Sequence, residues 1–148
     1  MRIAGVAAVA IGISVGLSAA HATQETTPAA AGKTVWDGAY TEAQAERGWK
    51  PYVEACSMCH SETLTGGPGA PGVAGPGFLV NWDGKTVGEL FEYTRTTMPP
   101  GQAGSLSDQA YADLLAVILQ VNAFPPGEAD VPTDRAVLDT IRIAREKP

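Results

Sequence analysis

The chain has 148 residues, with 10 basic and 16 acidic side chains and a formal net charge of −6 when the histidines are neutral. A chain of this length is expected to hold one small domain. Its acidic balance argues against nucleic acid or an anionic membrane surface as a partner, because both repel a negatively charged protein.

The N-terminal segment has the order of a secretory signal peptide. A short positive start is followed by an apolar run over residues 3–17 and by the small-x-small pattern Ala20-His21-Ala22. We therefore predict a signal peptide over residues 1–22, with cleavage after Ala22 and export to the periplasm. The alternative is a retained N-terminal membrane anchor, although the apolar run is short for a spanning helix.

Cleavage would change the inventory of reactive side chains. It removes one basic residue from the 10 in the chain, which leaves 9 basic and 16 acidic residues and a formal charge of −7. The mature chain keeps His60 as its one histidine and Met58 and Met98 as its two methionines. No segment after residue 22 is apolar enough to be predicted as a transmembrane helix.

The mature chain begins with a predicted flexible leader over residues 23–33, which are small, polar and proline-containing. The first helix is predicted to run from Thr41 to about Ala55, because Thr41 and Gln44 match a capping box. Pro51 lies inside this helix, where a proline removes one hydrogen bond. We therefore expect the helix to bend or to start late.

A long loop is predicted over residues 63–77, where Gly and Pro dominate and no periodicity is visible. A loop of this length inside a compact domain normally has a structural reason. A short apolar cluster at residues 78–82 follows the loop and precedes the turn at Asp83-Gly84.

The next helix is predicted to begin after Thr86, because Thr86 and Glu89 form a second capping-box pattern. It must end before Pro99, since proline cannot continue a helix. The residue before a proline is also restricted to extended backbone, so Met98 is predicted to be extended.

Ser107 is predicted to cap the most regular helix, which stops at Phe124-Pro125. One broad face of this helix carries six side chains: Tyr111, Leu114, Leu115, Ile118, Leu119 and Asn122. The domain itself is predicted over residues 34–127. Residues 128–148 would form a C-terminal extension, in which a short helix from about Asp134 either packs on the domain or hangs free.

Cys56-Ser57-Met58-Cys59-His60 is the most informative stretch of the sequence. The pattern C-x-x-C-H is that of a c-type haem attachment site. Two thiols at this spacing can each close a thioether bond to one haem vinyl group, and the histidine then lies under the iron as its proximal ligand. We predict one covalent haem c on Cys56 and Cys59, with His60 as the proximal ligand. Wrapping this haem would be a reason for the long loop.

Two other roles for the cysteine pair fit less well. A thioredoxin-like redox pair opens a helix after a strand, whereas this motif closes a predicted helix and precedes a glycine-rich loop. A structural zinc site needs further Cys or His ligands, and Cys56 and Cys59 are the only cysteines of the chain.

Met98 is the candidate distal iron ligand. Its competitor Met58 lies between the two cysteines and cannot readily reach the opposite face of the iron. No second histidine remains in the mature chain for bis-histidine ligation. A His/Met pair fills both axial positions, which favours one-electron transfer over the binding of peroxide or dioxygen. An open or water-ligated distal site is the alternative.

These features resemble the class I c-type cytochromes with one haem, and most specifically the small cytochromes associated with periplasmic quinoprotein dehydrogenases. The resemblance covers roughly residues 40–124. Besides the haem motif it rests on Gly48, Tyr52, Ala70-Pro71-x-Val73-x-Gly75, Trp82, Thr97-Met98-Pro99, Tyr111 and Leu115. It implies an all-α, class I cytochrome c-like fold, with about three to four core helices around the haem and long Gly/Pro-rich loops.

The resemblance also implies roles for individual residues. The second ring nitrogen of His60 is expected to donate to a backbone carbonyl group. By resemblance the acceptor is Pro71, with Pro76 as the alternative. Trp82 would lie near the haem edge, where it either contacts a propionate or is a core aromatic. Gly48 would let the first and last helices approach closely.

The leading hypothesis is therefore a periplasmic electron carrier rather than an enzyme. By family analogy its donor would be a periplasmic dehydrogenase of the quinoprotein type, and its acceptor a further cytochrome or a terminal oxidase. Two alternatives stay open. One is a haem-containing subunit of a dehydrogenase complex, and the other is a haem-based enzyme or sensor with an open distal site.

Overall fold

The computed structural model describes Met1 and residues 32–148, and in them the chain is helical without a β-strand. A short 3-10 helix precedes six α-helices, which are Val35–Asp37, then α1 (Glu42–Ala55), α2 (Ser57–His60), α3 (Pro76–Trp82), α4 (Val87–Thr97), α5 (Asp108–Val121) and α6 (Arg135–Leu138). This confirms the all-α prediction. Apart from Met1 and residues 32–33, the predicted signal peptide (1–22) and leader (23–33) lie outside the described residues. No helix within the described part is both long and apolar enough to cross a membrane.

Helix α5 lies at the centre of the core. All nine residues from Tyr111 to Leu119 are buried, including the charged Asp113. The prediction of one broad apolar face was too narrow, because α1 and α4 both pack against α5. Helices α1 and α4 therefore both cover α5, which explains why α5 is buried on more than one side.

Helix α1 begins directly after its predicted N-cap and continues through Pro51. The Thr41 hydroxyl accepts a hydrogen bond from the Gln44 backbone N–H at 3.1 Å. The Gln44 side chain does not complete a capping box, because it pairs with both backbone groups of Val131, at 3.0 and 2.6 Å. The expected late start is wrong, since packing against α5 outweighs the one hydrogen bond that Pro51 removes.

Helix α3 was not predicted. The loop expected over residues 63–77 ends at Gly75, and Pro76 occupies the first turn of α3, where a proline has no hydrogen bond to lose. The helix contains the apolar cluster at residues 78–82, of which Phe78 alone is buried. Seven residues hold barely two turns, so they show no clear helical period.

Helix α4 has the ends that its sequence predicts. The Glu89 backbone N–H donates to the Thr86 hydroxyl at 3.0 Å, and the Glu89 carboxylate accepts from the Thr86 backbone N–H at 2.7 Å. This confirms the capping box. The helix ends at Thr97, and Met98 follows in extended conformation, with φ −122° and ψ 146°.

The C-terminal segment packs on the domain rather than hanging free. Four of its apolar side chains are buried: Val131, Leu138, Ile141 and Ile143. Arg142 pairs with Thr34 in a parallel bridge and with Thr86 in an antiparallel bridge. The segment therefore joins the beginning of the domain to the start of α4 and forms part of the same core.

Candidate cofactor site

All the predicted site residues line one cavity of about 430 Å³. Its lining includes the two cysteines of the motif and the two candidate iron ligands. It also includes the two supporting residues. The six residues are Cys56, Cys59, His60, Met98, Pro71 and Trp82. Apolar side chains from three helices complete the wall, namely Phe78, Leu90, Leu114 and Ile118. A cavity of this volume with a few convergent polar groups is typical of a cofactor site.

The two cysteines are presented by the junction between α1 and α2. Cys56 is partly buried and caps α1, while Cys59 is exposed. The backbone N–H groups of Cys59 and His60 donate to the Cys56 carbonyl group at 3.2 and 3.0 Å, which holds the motif in one helical turn. Burial, with a smaller effect of Cys59, raises the pKa of the Cys56 thiol to about 11. A thioredoxin-like pair opens a helix after a strand, whereas Cys56 follows the end of α1 and the described residues contain no strand, so the fold disfavours that alternative.

His60 lies at the end of α2, and one of its ring nitrogens has a backbone partner. Its Nδ1 atom is 2.8 Å from the carbonyl oxygen of Pro71. Pro76, the other acceptor considered, opens α3 instead. A carbonyl oxygen can only accept, so Nδ1 is the donor, and in the neutral imidazole this leaves the lone pair on Nε2. The hydroxyl of Tyr52 donates to the Ser61 carbonyl group at 2.7 Å and so fixes the backbone next to His60.

Met98 and Met58 have very different surroundings. Met98 is half-buried and lines the cavity, whereas the Met58 side chain is exposed and does not. The backbone of Met98 is held at both ends, because its N–H donates to the Thr94 carbonyl group at 2.9 Å and its carbonyl oxygen accepts from the Tyr111 hydroxyl at 2.8 Å. Tyr111 is fully buried, and its hydroxyl also accepts from the Gly104 N–H at 3.1 Å.

Trp82 lies at the cavity together with a cation that sequence reasoning missed. Its ring meets Tyr93 edge-on at 5.6 Å, and the Lys85 Nζ atom lies 4.7 Å from the ring centroid. Of the described residues that line the cavity, Lys85 is the one lysine or arginine, and none is a carboxylate. Lys85 follows the turn at Asp83-Gly84, and the sequence around it does not distinguish a lysine at a cavity from a lysine in solvent.

The side chains present in the cavity fit haem c. Two thiols three positions apart, an imidazole with a free Nε2 atom and a thioether sulfur are the groups that bind a covalent haem. The surrounding wall is largely apolar, as a porphyrin ring requires. Among the described residues, no three His, Cys, Asp or Glu side chains come together as a metal site of their own.

Comparison with known proteins identifies the family. Residues 43–117, about half of the chain, match the family model described as cytochrome C oxidase, cbb3-type, subunit III. Searches of curated proteins and of solved structures return no match. The matched segment begins in α1 and ends in α5, and it contains both the C-x-x-C-H motif and Met98. The chain therefore belongs to this family of c-type cytochrome domains, whose cofactor is haem c and whose function is haem-based electron transfer.

Proposed function

We propose that the protein is a periplasmic electron carrier with one covalent haem c, attached through Cys56 and Cys59 and ligated by His60 and Met98. The observation that carries the proposal is that these four side chains line a single, largely apolar cavity of about 430 Å³. The haem supplies a one-electron ferric–ferrous couple when bound. The chain has only two cysteines, which supports one covalent haem.

His60 acts through its hydrogen bond to the Pro71 carbonyl group. With the proton on Nδ1, the Nε2 atom can bind iron, and the 2.8 Å contact fixes the ring and raises its basicity. Met98 supplies a soft thioether sulfur, which raises the reduction potential relative to bis-histidine ligation. With His60 and Met98 as its two protein ligands, the iron would have no position open for dioxygen or peroxide. The ligand pair therefore favours electron transfer over catalysis.

Lys85 is proposed to interact with the acidic haem propionates. Among the described residues that line the cavity it is the one lysine or arginine, which makes it the natural counter-charge for such groups. Trp82 supports this role, because its ring lies 4.7 Å from the Lys85 Nζ atom and holds it by a cation–π contact. Trp82 thus acts beside the haem edge through Lys85.

The periplasmic location rests on the sequence, and the redox partners rest on family analogy alone. The signal-peptide pattern of residues 1–22 predicts export. A periplasmic dehydrogenase of the quinoprotein type is proposed as the donor, and a cytochrome or a terminal oxidase as the acceptor. The family description favours a second candidate function, in which the chain is a haem-bearing subunit of an oxidase or dehydrogenase complex. Copurification with other subunits at low salt, and their loss at high salt, would support the second function.

The proposal is tested on the full chain expressed with a haem-ligation system. A haem stain on a denaturing gel is expected to show a covalent band, which is lost in the double variant Cys56→Ala/Cys59→Ala. The reduced protein should be low-spin and its spectrum unchanged by carbon monoxide. Met98→Ala should bind carbon monoxide and lower the potential, while Met58→Ala serves as the matched control and keeps the wild-type spectrum. A colourless mature protein, or a wild type that binds carbon monoxide, would overturn the proposal.

A further inference from the structure

Asn122 ties the end of α5 to the loop that carries the Pro71 carbonyl group. The residue is 8% exposed. Its Oδ1 atom accepts from the Gly75 backbone N–H at 2.9 Å, and its Nδ2 atom donates to the carbonyl groups of Val73 at 3.0 Å and Ile118 at 2.8 Å. The contact with Ile118 lies within α5, but the other two contacts reach the loop. Both N–H groups of the amide are therefore used, and two of its three hydrogen bonds go to the loop.

The same loop is anchored on its other side by Leu64. The backbone N–H groups of Val73 and Ala74 donate to the Leu64 carbonyl group at 2.8 and 3.1 Å. The loop is thus held between Leu64 and Asn122, and Pro71 lies only two residues before Val73. The position of the loop consequently sets the 2.8 Å contact between the Pro71 oxygen and His60 Nδ1.

We propose that Asn122 is a positioning residue for the proximal histidine, an inference that rests on the proposed role of His60 as an iron ligand. The Asn122 amide holds Val73 and Gly75 in place, and through them the Pro71 carbonyl group. That carbonyl group keeps His60 basic, which stabilises ferric iron and lowers the reduction potential. Loss of the amide lets the carbonyl group move, weakens its bond to His60 and raises the potential.

The alternative is that Asn122 only caps α5. A cap contributes to stability, but it does not change the hydrogen bond of His60. Stability alone cannot separate the two roles, so the test needs measurements made at His60 and at the iron.

The experiment uses the full-length holoprotein and the variants Asn122→Ala and Asn122→Leu, which remove the same polar atoms but differ in side-chain volume. The solvent exchange rate of the His60 Nδ1–H group is measured by NMR in the reduced protein, and the midpoint potential by redox titration. Both variants are expected to show exchange about tenfold faster, the factor that matches the loss of one hydrogen bond, and a higher potential. If the leucine variant does not fold, the alanine variant decides the question alone.

Gln44→Ala is the matched control. Gln44 is likewise a buried amide that hydrogen-bonds to the backbone, at 3.0 and 2.6 Å, but its partner is Val131. It should lose stability and keep the wild-type exchange rate and potential. Asn122 variants that behave like Gln44→Ala in both measurements would overturn the positioning role. A wild type without an iron-ligated His60 would instead overturn the proposed function and the inference with it.

Discussion

The α-carbon of Gly48 lies directly against the backbone carbonyl group of Asp113, at the contact between α1 and α5. A Cβ atom at position 48 would lie 2.1 Å from the Asp113 oxygen and 2.7 Å from Val117 Cγ2. The close approach predicted for Gly48 is therefore confirmed. It sets the spacing between α1, which Cys56 caps, and α5, whose Ile118 lines the cavity.

Gly48→Ala is expected to lower the free energy of unfolding by about 3 kcal/mol, the upper end of the usual cost of overpacking, because a helix backbone cannot yield as a side chain can. Unfolding in guanidinium chloride measures the change. Gly77→Ala is the matched control, since a Cβ atom there meets nothing within 4 Å and the residue lies in α3. It should leave stability unchanged or raise it by up to about 1 kcal/mol. Equal effects of the two substitutions would contradict the close contact.

The buried face of α6 predicts a structural role for the C-terminal segment. Leu138 is fully buried, whereas its neighbour Val137 in the same short helix is 46% exposed. Leu138→Ala should therefore cost about 3 kcal/mol of stability, as large-to-small changes in a core do. Val137→Ala should change stability by less than about 0.5 kcal/mol. A tail that served only to dock a partner would show no difference between the two variants in thermal unfolding.

Features encoded by short spacings could be predicted from the sequence. The capping pair of Thr86 and Glu89 and the haem motif at Cys56–His60 depend on residues within one helical turn, so the sequence displays them directly. The extended conformation of Met98 follows from the proline after it. These local signals were enough to predict the boundaries of α4 and four of the residues that line the cavity, namely Cys56, Cys59, His60 and Met98.

Features that depend on distant partners could not be predicted. Gln44 matches a capping pattern, but its amide instead pairs with Val131, 87 positions away. Asn122 looked like one more member of the α5 face, because its loop partners lie 47 and 49 positions earlier. Lys85 lines the cavity because the turn before α4 places it there, and that placement depends on how the turn packs in the fold. In each case the role of the side chain depends on tertiary packing, and the local sequence pattern does not indicate it.

Asp130 gives the domain a dependence on pH. The Thr41 hydroxyl and, to a smaller extent, the Arg47 guanidinium donate to its carboxylate and lower its pKa. A carboxyl group whose pKa falls on folding stabilises the protein above its unfolded pKa of about 4. That stability is lost as the pH falls through the folded pKa. The effect is small, because the Asp130 side chain is 43% exposed.

Asp130→Asn should therefore lower the thermal unfolding midpoint near neutral pH, with a difference from wild type that shrinks on acidification. The amide cannot ionise, so the two proteins should converge once Asp130 is protonated in the wild type. Calorimetric scans of both proteins from neutral to acidic pH measure this. A difference that stayed constant over the whole range would mean that the charge of Asp130 contributes nothing.

The hydroxyl of Tyr111 links the backbone of Met98 to that of Gly104, and Tyr111→Phe leaves both backbone groups without this partner. We expect a loss of about 1–3 kcal/mol in stability. Because Met98, the proposed distal ligand, is then held less firmly, the sulfur-to-iron charge-transfer band that this ligation would give the ferric holoprotein should weaken, and added imidazole should displace the sulfur more easily. Tyr40→Phe is the matched control, since it removes a buried hydrogen bond of 2.8 Å to the Phe124 carbonyl group. The control should lose similar stability but keep the band. If Tyr111→Phe kept the band unchanged, as Tyr40→Phe should, the Tyr111 hydroxyl would have no role in positioning the Met98 thioether.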